Sequence, residues 1–286
     1  MRSNAILVMT IVSMFVITNV ASAVIDIEFV TIGNAGNAAD STGFGAVGYD
    51  YYIGKYEISN DQWDQFTAAA GAPTGNPASA YDQGSYYSYK GDQIPTDSVS
   101  WYEALQFANY LTSGDKSQGV YQFSGNNSNP GDFVGIDRAA AEVSYGVIYF
   151  LPSEDEWYKA AYYKSDASGY SLYANGTDMI PTTSQSNYGQ VFPYDGPWDV
   201  GTGAPEQNGT FDMMGNDWEW TETIDTLPIV RGGSFYGTDA SGLASTGRFD
   251  DHFDYEDFNL GFRVAMIPEP ATVLLLCLGV ALMRKR

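Results

Sequence analysis

Three helix starts dominate the sequence. Ser59-Asn60-Asp61-Gln62, Ser100-Trp101-Tyr102-Glu103 and Ser153-Glu154-Asp155-Glu156 each place a Ser three residues before Gln or Glu. In that arrangement side chain and backbone cap one another, satisfying donors that a helix start leaves open. The first helix buries Trp63 and Phe66 and stops at Gly71. The second sets Ala104, Leu105, Ala108 and Leu111 on one face, with Gly114 past its end, and the third buries Trp157, Ala160 and Ala161. Short strand-like runs fall at 25–32, 49–58, 146–151, 229–235 and 260–266. The connections 71–97, 114–145 and 165–210 are rich in Gly, Asn, Ser, Tyr and Pro. Structureless loops beyond ~12–15 residues are uncommon in compact domains and carry function or need pinning. The pattern predicts one α+β domain of high irregular content over 24–266, with no internal repeat.

Both ends differ from this middle. Residues 1–23 carry Arg2, an apolar run from Ala5 to Val20 and Ala21-Ser22-Ala23, the pattern of a secretory signal peptide. Residues 267–286 run from Pro268-Glu269-Pro270 through an apolar stretch, Ala271 to Met283, to Arg284-Lys285-Arg286. As a helix that stretch spans only ~20 Å at ~1.5 Å per residue, short of a ~30 Å hydrocarbon core. An ordinary tail anchor is one reading, with the basic cluster held on the cytoplasmic side. The order of the three parts resembles the PEP-CTERM sorting signals that exosortases recognise in Gram-negative bacteria. That resemblance implies export, a stay in the inner membrane through a short transmembrane helix, then cleavage and release or attachment at the cell surface.

Composition excludes several chemistries. The chain carries a net charge of −22, and its two ends hold four of the 13 basic residues, so the middle is more acidic still. Such a field repels phosphate backbones and recruits cations, which argues against nucleic acid as a partner. The single Cys, Cys277, lies in the apolar tail, so the domain has no disulfide or thiol nucleophile. With no disulfide to pin the long loops, bound cations are a natural alternative. The single His, His252, excludes multi-His zinc and iron sites.

Five blocks, GYDYYIGKYEISNDQWDQF, PTDSVSWYEALQFANYLT, YFLPSEDEWYKAAYY, FDMMGNDWEWTE, and IVRGGSFYG with NLGFRVA, occur in this order. In that order they resemble the successive blocks of the formylglycine-generating enzyme, or sulfatase-modifying factor, family. The resemblance implies an irregular C-type-lectin-like α+β fold. It also bears on FDMMGNDWEWT, residues 211–221, where acids flank a tight turn. Calcium takes six to eight oxygens, carboxylates mixed with carbonyls, and a turn at Gly215 would aim carbonyls inward. By the resemblance Asp212 and Glu219 bind calcium through side chains, and Gly215 and Asp217 through the main chain. The Asp217 carboxylate is then extra. Trp218 and Trp220 alternate with the acids and are expected to face the opposite side, into the core. For the family's second calcium site the nearest matches are Asn187, Tyr188 and Asp195.

In the same family two cysteines following RGGS bind copper and oxidise a substrate cysteine. Gly237 and Gly242 occupy those positions, so copper and the oxidase chemistry are expected to be absent. Arg231 and Arg263 read as buried ion pairs rather than ligand contacts, since a buried Arg needs a partner. Asp250 to Asp257, with His252, reads as a solvated loop or accessory cation site rather than a catalytic base. Gly43-Phe44-Gly45-Ala46-Val47-Gly48 spells a dinucleotide fingerprint, but a strand, not a helix, is expected after it. Tyr81, Tyr86, Tyr87 and Tyr89 cluster on one loop, suited either to recognition or to ordering the loop. The expectation is a calcium-stabilised, non-oxidase binding module for polysaccharide or a surface protein, sorted by exosortase-type machinery. The alternatives are a cysteine-free route to the family's activity or a carboxylate-based hydrolase.

Overall fold

All three capping boxes form. Ser59 precedes α1 (Asn60–Ala70), Ser100 precedes α2 (Trp101–Ser113) and Ser153 precedes α4 (Glu154–Tyr162), each with both reciprocal hydrogen bonds. Gly71 and Gly114 follow α1 and α2 at positive φ. One helix, α3 (Arg138–Tyr145), lies in a stretch expected to be a connection. Its cap is Asp137, which accepts from the Ala140 N–H, so no Glu or Gln stands where the box pattern would reveal it. The computed structural model describes residues 25–82, 89–190 and 195–268. The N-terminal export signal, the sorting signal after Pro268, and Tyr86 and Tyr87 lie outside them. Among the described residues no helix is long and apolar enough to cross a membrane.

Two sheets meet at one strand-switching segment. The first orders β1 (Phe29–Ile32), β2 (Tyr51–Gly54), β10 (Ala265–Ile267) and β5 (Ile148–Phe150), all antiparallel. The second orders β8 (Phe249–Asp250), β7 (Pro228–Arg231), β6 (Trp218–Ile224) and β9 (Leu260–Gly261), with β6 and β9 parallel. A separate hairpin pairs β3 (Tyr121–Phe123) with β4 (Phe133–Ile136). The run expected as one strand over 260–266 is therefore two, one in each sheet. Phe262, Arg263 and Val264 carry the chain between them and are all fully buried. The strand that follows Gly43–Gly48 is β2, so the glycine-rich stretch does not open a helix.

Aromatic residues tie the layers together. The Trp101 indole donates to the Thr221 carbonyl at 2.8 Å and the Trp220 indole to the Val99 carbonyl at 2.8 Å. These two bonds lock the start of α2 to β6 from both sides. The long connections are pinned by polar side chains. Asn109 donates to the Lys116 and Tyr121 carbonyls and accepts from the Tyr121 N–H, and Asn208 donates to the Ala160 and Tyr163 carbonyls. Tyrosine hydroxyls do the same work: Tyr162 donates to the Leu243 carbonyl and Tyr170 to those of Ala38 and Gly45. Much of the tyrosine load thus orders loops.

Glu103, the capping residue of α2, is buried and accepts from the Ser100 N–H at 2.9 Å. Burial, with the Glu256 carboxylate adding to it, pushes its carboxyl up to about 8. The folded form therefore holds this proton where the unfolded chain, titrating near ~4.3, has lost it. Its stabilisation is complete at low pH and disappears as pH rises toward the folded value. Urea unfolding should accordingly show stability falling between about pH 5 and about pH 8, and less steeply in Glu103→Gln, which keeps an acceptor at the cap. Parallel profiles for the two proteins would contradict the assignment.

Candidate metal centre

The corner before β6 is folded by backbone geometry that few sequences allow. Asp212, Gly215 and Asn216 have φ of 61°, 80° and 64°, three left-handed residues within five. A side chain at Gly215 would stand 2.3 Å from the Asn187 carbonyl oxygen, so only glycine lets segment 186–187 dock against the turn. That docking is made by the Asn216 N–H donating to the Asn187 carbonyl at 2.9 Å and by Ser186 Oγ donating to the Met214 carbonyl.

Asn216 is the hub, and sequence reading gave it no role. Its Oδ1 accepts from Asn187 Nδ2 at 3.0 Å and from the Trp198 N–H at 2.7 Å. Its Nδ2 donates to Glu57 Oε2 at 2.6 Å, and the other Glu57 oxygen accepts the Asp217 N–H at 2.9 Å. Glu57, also not anticipated, lies just past β2 and is brought here by tertiary packing alone. The only local signal was an Asn set between Gly215 and Asp217 in the turn.

Of the residues expected at the first calcium site, the structure gathers all four in one buried corner and engages them differently. Glu219 is fully buried, and its two oxygens accept from Arg263 at 2.5 and 2.7 Å, with the Trp157 indole donating at 2.7 Å. Asp212 accepts the Gly201 N–H at 2.7 Å. Asp217 is fully buried, and neither of its carboxylate oxygens has a hydrogen-bond partner. Of the second set, Asn187 joins the first corner through Asn216 and also donates to the Gly196 carbonyl at 3.1 Å. Tyr188 donates its hydroxyl to the Pro181 carbonyl, and Asp195 is exposed, its N–H donating to Gln190. Both tryptophans pack on the core, Trp218 only at its margin. Trp220 is buried, but Trp218 is only half-buried and packs edge-on against Phe249 at 5.0 Å, while the acids at 217 and 219 point inward. Inside the second sheet β6 has both faces covered near its start, so alternation does not divide core from solvent there.

The electrostatics of the corner are unbalanced. Glu57, Glu206, Asp212, Asp217 and Glu219 are each at most 7 % exposed, and Arg263 is the buried cation among them. Burial, then the repulsion of Asp212 and Asp217, pushes the Glu57 carboxyl up; burial pushes Asp212 up to about 6 and Glu206 up to about 8. A protein interior does not hold such charge without counter-ions or protons. Among the described residues no three Asp, Glu, His or Cys side chains converge closely enough to hold a metal by themselves. An ion here would take main-chain carbonyls beside Asp212 and share Glu219 with Arg263. The carboxylate surplus fits a cation; the closed Glu219–Arg263 pair leaves that side chain little to give it.

The other buried arginine behaves as expected. Arg231 pairs with Glu154 at 2.5 Å and donates to the Ser245 and Gly247 carbonyls. The glycines after Arg231 leave no thiol. A Cβ at Gly242 would lie 3.1 Å from the Trp218 ring, closer than side chains ordinarily approach, and one at Gly237 would lie 3.2 Å from the Ser234 carbonyl.

Residues 36–267 match the sulfatase-modifying factor enzyme 1-like domain. The chain belongs to that family. Its curated relatives include chaperone protein LppX of Paenibacillus barcinonensis, 25 % identical over 228 residues that cover 70 % of this chain and 75 % of LppX. Among solved structures, CarF aligns with a TM-score of 0.62 at 20 % identity, covering 84 % of this chain and 98 % of CarF. PvdO from Pseudomonas aeruginosa aligns with a TM-score of 0.53 at 16 % identity, covering 84 % and 91 %. At those identities the likeness to the two structures shows the mixed helix-and-sheet fold alone. Within this family member, Arg263→Met should cost about 3–5 kcal/mol, since it strands the buried Glu219 carboxylate. Adding Glu219→Gln should recover a large part of the loss. Urea unfolding measures both, and a single-variant loss below about 1 kcal/mol would refute the pair's role.

Proposed function

We propose that this chain is a sulfatase-modifying factor family member without the oxidase chemistry, acting as a calcium-stabilised binding module for extracellular matrix or polysaccharide. One observation carries the reading. The backbone at Gly242, where the family resemblance expects a copper-binding cysteine, is packed on Trp218 with no room for a side chain unless the ring moves. The position therefore lacks sulfur and is tight for any side chain, and a family fold without its site residues does not carry the family's reaction. Trp218 instead joins Phe249, Tyr255 and Asn259 along a cleft of about 200 Å³. Aromatic faces beside polar groups suit a sugar or a polar peptide. The finer fold reading, C-type-lectin-like, agrees with ligand capture by loops, and the likeness to a protein named as a chaperone agrees with a role other than catalysis.

Calcium in this reading is held by Asp212, with the carbonyls of Gly215 and Asp217 and a share of Glu219. The excess of buried carboxylate over Arg263 supports it. The second group, Asn187, Tyr188 and Asp195, is proposed at most as an outer support. Export through the signal at 1–23 and surface sorting by exosortase-type machinery through the PEP-CTERM signal at 267–286 complete the proposal. The ligand would be met at the surface of a Gram-negative bacterium.

Incubation with copper, oxygen and a cysteine-containing sulfatase peptide should yield no aldehyde, and product by mass spectrometry would overturn the non-oxidase reading. Millimolar calcium should raise the melting temperature, because extracellular sites bind at ~10⁻⁴ to 10⁻³ M and ligand binding stabilises the folded form. Asp212→Ala should abolish that rise, and an unchanged wild-type melt would remove calcium from the proposal. A glycan array read with and without chelator tests the binding role, and silence in both arms counts against it.

A further inference from the structure

We propose that the Asp217 carboxylate, with the Thr96 carbonyl and the neighbouring carboxylates of Asp97 and Asp257, binds a second divalent cation, distinct from the one proposed at Asp212. The family resemblance assigns only the main-chain carbonyl at 217 to calcium, so this carboxylate is a feature of this chain itself. Its exceptional state is the starting point. Every other acid of the corner has donors: Glu57 from Asn216 and the Asp217 N–H, Asp212 from Gly201, Glu219 from Arg263 and Trp157. Asp217 alone among these has two bare oxygens, and it is 0 % exposed. Leaving an ionised carboxylate so buried costs far more than leaving a neutral group unpaired.

The surroundings name what would satisfy it. At Gly261, paired to Glu219 across β9 and β6, an added Cβ would lie 2.6 Å from the Thr96 carbonyl oxygen and 3.6 Å from Asp217 Oδ2. Those two acceptors therefore approach the same point beside Gly261, and only the missing side chain lets the Thr96 carbonyl come so close. Asp97, 8 % exposed, follows Thr96 directly, and the charges of Asp97, Glu219, Asp212 and Asp257 all bear on Asp217. A proton would give one oxygen a hydrogen to donate and leave the other bare, with two more acids still facing it. A divalent cation binds both kinds of oxygen present and neutralises two charges at once. No three carboxylates here are close enough to ligate directly. Asp217 and the Thr96 carbonyl would therefore form the inner contacts, and Asp97 and Asp257 would reach the ion through its waters. Thr96 and Asp97 line a cavity of about 590 Å³ and Asp257 lines the cleft beside Trp218, so these partners are reached from solvent, while Asp217 itself lines neither.

Asp217→Asn separates this site from the corner, since it keeps the carbonyl that the corner would use. Calcium bound per chain, measured by equilibrium dialysis and elemental analysis on the purified protein, should fall by one in Asp217→Asn. Asp212→Ala should remove a different ion, and the double variant both. Asp97→Asn, at the site's rim, should weaken one calcium at least ten-fold and supplies the readout should Asp217→Asn not fold. Equal stoichiometry in Asp217→Asn and wild type overturns the proposal, as does a wild type that binds no calcium. If Asp217→Asn misfolds, unchanged affinity in Asp97→Asn overturns it. A loss confined to Asp212→Ala would leave the corner calcium standing and this site refuted.

Discussion

The Arg263–Glu219 pair is the contact on which the rest of the architecture depends. Arg263 sits in the three-residue passage between β9 and β10, so its side chain lies where the chain leaves one sheet for the other. It grips Glu219 on β6 with two nitrogens and donates to the Gly54 and Phe211 carbonyls. Trp157 on α4 completes the shell around Glu219. One guanidinium thus joins both sheets, a helix and the corner turn, in a place where water is excluded. A lysine could supply the charge but not the planar fork that meets four acceptors together.

The same economy appears in the ion pairs gathered at the start of α4. Glu154 and Glu156 are the first and third residues of α4, where negative charge is favoured by the helix end. Glu154 also receives Arg231 and Arg248, and Glu156 receives Arg138 at 2.8 and 2.9 Å. Arg138 in turn stacks 3.7 Å over Phe150 and reaches Glu222 at 3.0 Å. A capping motif readable from sequence is therefore also the anchor for strands distant in sequence, which explains why a domain with such long connections holds without disulfides.

What was legible follows from locality. The boxes at Ser59, Ser100 and Ser153 are written in four consecutive residues, and all three formed. The buried roles of Arg231 and Arg263 followed from their strand-like setting beside many acids, though not the identity of their partners. What was missed depends on residues far apart. Asp137 caps α3 without a helper at the third position, so a stretch rich in Ala read as loop. Period-two alternation placed both tryptophans on the core, where Trp218 packs at the margin, but it did not reveal that Asp217 and Glu219 are fully buried as well. Glu57 and Asn216 gave no signal because their importance comes from meeting each other across 159 residues.

The buried acids and the glycine packed on Trp218 bear on each other. At Gly242 the backbone packs against the Trp218 indole, which is held half out to solvent. Immediately before Trp218 stands Asp217, on which Asp97 and Asp257 bear, and their charges cannot all persist without counter-ions or protons. Trp218 is thus the outer wall and Asp217 the inner floor of a single stretch of backbone. Any ion that fixes the floor also fixes the aromatic wall one residue away. Cation occupancy would then set how rigidly the cleft beside Phe249 is presented, so that stabilisation and recognition become one property of the same turn.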